Sequence, residues 1–359
     1  MMRIEQRCGG SRTSIASVLA VAGTDCTVKR PVAMAYAVTT ALTVGTIAAL
    51  ALAPLHALAQ QNWPVKPIRM LVPWPPGGSN DAAARLIAPR LAETLGQPIT
   101  VENRGGAAGS VGAEVVSRAD PDGYTLMLHS VTHLSNAALY PKLAYDTVKD
   151  FTPIGMVSTQ PTLLVVHPSF PVRTVKELIA LARAKPRQVF YGSAGNGSAP
   201  HLSMTLFSSM AKVELEHVPY KGGGPALAGL LGGEVPVMLA TVPSVMEQVK
   251  AGRLRAVATS SAKRLSMLPD IPTVAESGLP GYEMSPWIGV WGPGNLPRAI
   301  VDRVNRALAK ALASPDVRDG FAQQGLEPIS MTPEEFAKLI PLEMERYARL
   351  VKLSNARVE

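Results

Sequence analysis

The sequence is poor in cysteine, in charged residues and in aromatic residues. It contains 2 cysteines in 359 residues, with 17% charged and 5% aromatic residues. Both cysteines, Cys8 and Cys26, precede Gln60, so the chain beyond that point can form neither a disulfide nor a thiolate metal site. The hydrophobic fraction of 47% is ample for large buried cores and argues against disorder.

Clustered positive charge is also missing. The formal net charge of +8 is spread along the chain, without a run of lysine and arginine and without a basic helix face interleaved with aromatic residues. This pattern argues against a nucleic-acid partner. The length of 359 residues favours two domains.

The common catalytic and metal-binding motifs are absent too. The sequence has no G-x-S-x-G elbow, no H-E-x-x-H and no G-x-x-x-x-G-K-[ST] loop, and its 6 histidines do not pair with acids at ligand or triad spacing. We therefore predict no metal, no cofactor and no catalysis. One alternative stays open, an exported α/β hydrolase that uses Ser193 or Ser198 with His201 as its base.

The N-terminal stretch has the order of an export signal. Lys29-Arg30 precede an apolar segment at 38–52, and Ala57-Leu58-Ala59 is an A-x-A processing site. The apolar segment of about 15 residues is shorter than the roughly 20 that a membrane-spanning helix needs. We predict that residues 1–59 are a signal peptide with an upstream extension, cleaved after Ala59, and that the mature protein is periplasmic. The start of translation stays open between Met1, Met2 and Met34.

Short apolar strands alternate with helices and glycine loops from Ile68 onward. This alternation predicts an α/β protein with mixed or parallel sheets, and it occurs in two stretches before returning near the end of the chain. We predict two lobes joined by two crossing segments. The first lobe takes residues 60–160 and 285–359, and the second takes residues 161–284.

Three strand-to-helix loops share one design. They cover residues 73–81, 192–200 and 220–225, and each is short, rich in glycine and followed by a predicted helix. Unpaired N–H groups and the positive end of the helix dipole meet at such a loop, which suits an anion. We predict that the loops converge on a small anion between the lobes. The expected donors are the backbone N–H groups of Gly77, Gly78, Asn196 and Gly197.

Longer motifs add a resemblance to a known family. They lie at residues 67–81, 101–112, 121–126, 145–151, 191–198, 218–222 and 268–276. Together they resemble the substrate-binding receptors of tripartite tricarboxylate transporters, also called the Bug family of periplasmic binding proteins. The resemblance extends over residues 62–353.

The resemblance implies a two-lobed clamshell fold of type II and a small carboxylate ligand, which can be a di- or tricarboxylate or an aromatic carboxylate. It also implies a monomer that delivers this ligand to a membrane transporter through transient contacts. A sensor that presents ligand to a signalling partner stays open as an alternative. Carried over to this sequence, the ligand-binding residues are Trp74, Pro76, Gly77, Gly78, Ser79, Asn80, Ser130, Ser158, Ser193, Gly195, Asn196, Gly197, Ser198, His201, Lys221, Gly222, Gly223 and Thr241.

One departure from the family pattern bears on the choice of ligand. Where the family pattern has an acidic residue after the strand near residue 235, this sequence has Ala240, followed by Thr241. An ammonium group that loses its hydration needs an anion or several acceptors in exchange. We therefore expect carboxylates without a positive charge to bind better than amino acids.

Overall fold

The computed structural model of the protein describes residues 63–356. The predicted signal peptide and its cleavage after Ala59 lie outside the described residues, as do the last three residues of the chain. Within the described range, none of the helices is both long enough and apolar enough to cross a membrane.

Strands and helices alternate along most of the described chain. The strands are β1 (Ile68–Val72), β2 (Ile99–Asn103), β3 (Thr125–Ser130), β4 (Phe151–Thr159), β5 (Thr162–Val166), β6 (Phe190–Ser193), β7 (Glu216–Pro219), β8 (Val237–Thr241), β9 (Arg255–Thr259), β10 (Trp287–Pro293) and β11 (Glu327–Pro328). The helices are α1 (Ser79–Leu95), α2 (Ser110–Ser117), α3 (Thr132–Leu139), α4 (Val175–Ala184), α5 (Ala199–Ala211), α6 (Gly223–Leu231), α7 (Val242–Lys250), α8 (Arg298–Ala313), α9 (Pro315–Gln323) and α10 (Pro333–Ser354).

These strands form two mixed sheets. The first has the order β11-β4-β10-β3-β1-β2, with β1, β2 and β3 parallel and β10 antiparallel to both β3 and β4. The second has the order β7-β6-β8-β5-β9, with β6, β7 and β8 parallel and β5 antiparallel to β8 and β9. The predicted α/β class with two lobes is confirmed. The lobe boundaries stay a prediction.

The central strands of the first sheet, β1, β3 and β10, are largely buried because helices cover its faces. In β1, Ile68, Met70 and Val72 pack in one apolar cluster with side chains from α1 and α8. Each fully buried aliphatic side chain of this kind contributes about 1.5–3 kcal/mol relative to its exposed state. The strand ends are therefore held firmly, and so are the loops that leave them.

The C-terminal helix α10 contacts both halves of the protein. It begins with a capping box between Thr332 and Glu335, and it packs against α3 beside the first sheet and α5 beside the second. Its Glu343 accepts a hydrogen bond of 2.9 Å from Nε1 of Trp287 at the start of β10. Helix α10 therefore connects the two sheets at a place other than the two points where the chain passes from one sheet to the other.

Helix α3 was not predicted from the sequence. Its residues Thr132 to Leu139 include Ser135 and Asn136, which are weak helix formers, and the helix starts two residues after β3 ends. Most of its side chains are buried, so tertiary packing stabilises it rather than propensity.

A pair of histidines is buried between α3 and the first sheet. The ring of His133 lies 4.5 Å from the ring of Phe151 and 5.1 Å from that of Trp291, centroid to centroid. Burial lowers the pKa of His133 to about 3, and burial together with the neighbouring His133 holds the pKa of His129 well below its ordinary value. Both rings are therefore neutral at physiological pH.

We predict that these histidines make the fold sensitive to mild acid. The native state binds fewer protons than the unfolded state between pH 6.5 and about pH 3, so the free energy of unfolding falls as the pH drops through this window. At pH 5, the contribution lost from His133 alone amounts to about 2 kcal/mol. His133→Phe should therefore lose less stability than the wild type between pH 7 and pH 5, measured by urea denaturation.

His167→Phe is the matched control for that experiment. His167 lies at the surface, where its ring contacts Ser169. This variant should lose as much stability between the two pH values as the wild type does. Equal losses in His133→Phe and the wild type would contradict the prediction.

Candidate functional site

The loops at the carboxyl ends of strands from both sheets surround one central cavity. Its volume is about 110 Å³, which is room for a small molecule rather than a single water. Its walls come from β3 and the loop after β1 in the first sheet, and from β8 and the loop after β6 in the second. The lining residues are Trp74, Pro75, Pro76, Gly78, Ser79, Asn80, Ser130, Thr132, Gln160, Ala194, Ser198, Ala199, Pro200, Gly223, Gly224, Pro225, Met238, Thr241 and Ser244.

Five helices begin at this cavity. Gly78 and Ser79 belong to the start of α1, and Thr132 opens α3. From the second sheet, α5 contributes its cap Ser198, α6 its first residue Gly223 and α7 its cap Thr241. The first N–H groups of a helix have no partner within the helix, and its N-terminus carries about half a positive charge. The cavity therefore has a positive potential without a cation.

None of the cavity-lining residues in the described part of the chain is charged. The polar lining side chains are serines, threonines, Asn80 and Gln160, and the apolar ones include Trp74, Pro200 and Met238. Oδ1 of Asn80 is buried and has no hydrogen-bond partner within the described chain. Such a lining offers neutral donors and acceptors around an apolar middle.

Asp81 stabilises the conformation of the first loop, residues 73–81. This buried carboxylate accepts hydrogen bonds of 3.0 Å from the backbone N–H of Gly77, from Nε of Arg85 and from Nδ2 of Asn103. Burial by itself would raise the pKa of Asp81, but the bonds from Arg85, Gly77 and Asn103 outweigh it, and the pKa lies below its ordinary value. Asn103 also donates to the carbonyl of Trp74 at 3.0 Å, so the whole loop is braced.

Gln160 connects the cavity to the crossing between the sheets. It lies between β4 and β5, where its backbone N–H donates to the carbonyl of Pro286 at 2.6 Å. Its side-chain Nε2 donates to Oγ of Ser79 at the start of α1. No sequence motif marks this residue, because only the fold brings the crossing segment beside the first loop.

A second, larger space adjoins the cavity, and we call it the vestibule. It measures about 640 Å³ and shares Trp74, Pro75 and Ala194 with the cavity. Lys221 is the charged side chain among its described lining residues, and it is exposed. The remaining lining residues are Gly105, Gly106, Ala107, Ala108, Tyr140, Gly195, Asn196, Tyr220 and Gly222.

The structure places the predicted site residues in three groups. In the cavity lining are Trp74, Pro76, Gly78, Ser79, Asn80, Ser130, Ser198, Gly223 and Thr241. In the vestibule lining are Gly195, Asn196, Lys221 and Gly222. Outside both linings are Gly77, Ser158, Ser193, Gly197 and His201. Their role in binding stays a prediction.

Two of the expected backbone donors are already engaged within the protein. The N–H of Gly77 donates to Asp81, and the N–H of Gly197 donates to Nδ1 of His201 at 3.0 Å. These two groups therefore support the loops instead of facing the cavity. Helix-start N–H groups that no cap or carbonyl engages replace them as candidate donors. The N–H groups of His201 and Val242 are not among them, because they donate to Ser198 and Pro161.

The serines and histidines in the loops of the second sheet also bind other groups of the protein. Oγ of Ser198 accepts the backbone N–H of His201 and so caps α5. Oγ of Ser193 contacts Nε2 of His217 at 2.6 Å, but Ser193 is fully buried and lies outside the cavity lining. His201 stacks on His217 with 3.9 Å between ring centroids. No serine–histidine pair in these loops therefore faces the cavity as a hydrolase would require.

Known proteins resemble this chain in sequence and in fold. Residues 83–356 match the family model described as "Tripartite tricarboxylate transporter family receptor". Three similar solved structures are Rpa4515 of R. palustris with adipate, the periplasmic binding protein BugD, and MatC of Rhodopseudomonas palustris with bound malate. Their sequence identities are 37%, 33% and 35%, and their TM-scores are 0.78, 0.77 and 0.75. The alignments cover 82%, 83% and 80% of this chain and 98%, 100% and 100% of those chains.

We predict that a side chain added at Gly223 will block the cavity. A Cβ at this residue would lie 3.8 Å from Oγ of Ser244 on the cavity wall, without a clash, and φ there is not in the left-handed region. Gly223→Val should therefore fold normally and lose at least about tenfold in ligand affinity, measured by calorimetry. Gly223→Ala should lose less.

Gly197→Val is unsuited to this test, because it would damage the fold. Gly197 has φ +72°, and a Cβ there would lie 2.5 Å from Cδ2 of Leu139. Unchanged affinity in a folded Gly223→Val variant would show that the start of α6 is not part of the ligand site.

Proposed function

Because this chain belongs to the tripartite tricarboxylate transporter receptor family, whose members are solute-binding receptors and not enzymes, we propose that it is a periplasmic receptor for a small carboxylate. The ligand would bind in the central cavity, and the receptor would deliver it to the membrane components of a tripartite transporter. The observation that carries this proposal is the convergence of five helix starts on a cavity whose described lining holds no charged side chain.

A carboxylate is the ligand group that suits this cavity best. Each helix start interacts with an anion by about 0.3–1 kcal/mol, and hydrogen bonds from N–H groups to a charged acceptor contribute roughly 1.5–3 kcal/mol each. Several such contacts together can replace the hydration that a carboxylate loses on entering an enclosed site. The serine and threonine hydroxyls of the lining, such as Ser130 and Thr241, can add further donors.

The apolar part of the lining favours a ligand with a carbon chain. Trp74, Pro200 and Met238 lie between the helix starts of the two sheets. Two solved relatives hold adipate and malate, and both of these ligands are dicarboxylates. We infer that this receptor also takes a dicarboxylate whose two ends face helix starts of different sheets.

Ligand capture would proceed by closure of the two lobes at the predicted boundaries, 60–160 with 285–359 against 161–284. The chain crosses between the sheets near Gln160 and again near Pro286, and these crossings are hydrogen-bonded to each other. A short pair of adjacent crossings is the usual arrangement of a hinge. Gln160 would couple this hinge to the ligand through its bond to Ser79.

An ammonium group has no ionic partner in this arrangement. Asp81 is engaged by Arg85, Gly77 and Asn103, while Glu234 accepts a hydrogen bond from the hydroxyl of Tyr220 at 2.9 Å outside the cavity. Ala240, at the position of the acidic residue in the family pattern, is fully buried in β8. The positive potential of the helix starts would repel a cation.

We predict that succinate, malate or adipate will bind and that matched amino acids will bind more weakly. A ligand at 100 times its dissociation constant should stabilise the protein by about 2.7 kcal/mol, which a thermal-shift screen detects. Calorimetry should then compare succinate with aspartate and glutarate with glutamate, and the dicarboxylate should bind at least tenfold more tightly in each pair.

The two outcomes are separable. A screen in which no carboxylate raises the melting temperature would contradict the proposed function. Binding of a carboxylate combined with tighter binding of the amino acid in either pair would keep the receptor function and refute the charge argument alone.

A further inference from the structure

The peptide groups flanking Gly197 are held from two sides. The N–H of Gly197 donates to Nδ1 of His201 at 3.0 Å, and its carbonyl accepts a hydrogen bond of 3.0 Å from Oγ of Ser135. His201 lies on α5, beside the second sheet. Ser135 lies on α3, which comes directly after strand β3 of the first sheet. Both side chains are buried, and neither lines the cavity.

The loop around Gly197 fits closely against α3. Gly197 adopts φ +72°, and a Cβ there would come within 2.5 Å of Leu139 on the same helix as Ser135. The left-handed backbone conformation favours glycine here, and a Cβ would in addition crowd the side chain of Leu139. This contact joins α3, next to the first sheet, to the loop at residues 194–198, which belongs to the second sheet.

The surroundings of His201 keep its Nδ1 available as a hydrogen-bond acceptor. The ring is almost fully buried and lies nearly parallel to the ring of His217, at an angle of 5°. Burial, and secondarily the neighbouring His217, lowers the pKa of His201 to about 3, so the ring is neutral at neutral pH. Because Nδ1 accepts the N–H of Gly197, the one ring proton lies on Nε2. His217 in turn contacts Ser193, whose Oγ accepts the N–H of Gly195 at 3.1 Å.

We propose that Ser135 and His201 are positioning residues that clamp the loop at residues 194–198 between the two halves of the protein. The inference rests on the proposed function, because Ala194 and Ser198 of this loop line the cavity. The bond from Ser135 to Gly197 forms only when α3 and the loop meet. It therefore holds the loop against α3, and losing it would favour separation of the two.

Amide hydrogen exchange of a peptide spanning residues 194–200 tests the clamp without a ligand. Ser135→Ala and His201→Leu should each accelerate exchange at Gly197 by about tenfold, since each removes one side of the clamp. His201→Asn should stay near the wild-type rate, because its Oδ1 is attached to Cγ as Nδ1 is in histidine and can still accept the N–H.

Ser203→Ala is the matched control. Ser203 is a buried serine on α5 whose hydroxyl donates within its own helix, to the carbonyl of Ala199 at 2.7 Å, and not to Gly197. It should leave exchange at Gly197 unchanged. Wild-type exchange in Ser135→Ala, or equal acceleration in Ser203→Ala and Ser135→Ala, would overturn the proposal. Equal effects of His201→Asn and His201→Leu would overturn the role of the acceptor.

A second measurement links the clamp to binding, with adipate as the probe. Ser135→Ala should release adipate several-fold faster than the wild type, while its association rate stays the same. An unchanged release rate would overturn the link to ligand retention. If wild-type protein binds neither adipate nor any other carboxylate, the proposed function fails, and the exchange experiment still decides whether the clamp exists.

Discussion

The structure depends on the close approach of backbone N–H groups to one small space. Five helices begin there, and a helix start can serve an anion only if its first residues are small and its cap leaves the N–H groups accessible. This requirement accounts for the glycines, serines and prolines around the cavity. It also accounts for the sheets, because parallel strands place the starts of the following helices at the same edge.

Many of the supporting interactions lie one layer behind the cavity. Asp81 braces the first loop, the stacked His201 and His217 brace the second, and Gln160 links the first loop to the chain crossing. Each of these groups either has a hydrogen-bond partner within the protein or is buried in its neutral state. The cavity can therefore remain free of ionic side chains while its walls are held by strong polar contacts.

Local signals in the sequence predicted the parts of the structure that local physics determines. The strand and helix on either side of the first loop, the cap at Thr174 and the three C-terminal helices all have their own patterns of apolar, capping and proline residues. The roles of Gly77, Gly197 and His201 were less predictable, because a glycine loop does not reveal which N–H groups its own side chains will bind. Gln160, Ser135 and His217 gave no signal, since their contacts join segments distant in sequence.

The uncharged lining of the cavity has a consequence for the conditions under which the receptor can work. Interactions between exposed ions weaken as salt accumulates, with a screening length of about 8 Å at physiological ionic strength. Contacts from N–H dipoles inside an enclosed site act over a few ångströms and are screened much less. A binding protein outside the cytoplasmic membrane is exposed to the salinity of its surroundings. Recognition by helix starts instead of lysines and arginines would keep its affinity nearly constant between dilute and saline media.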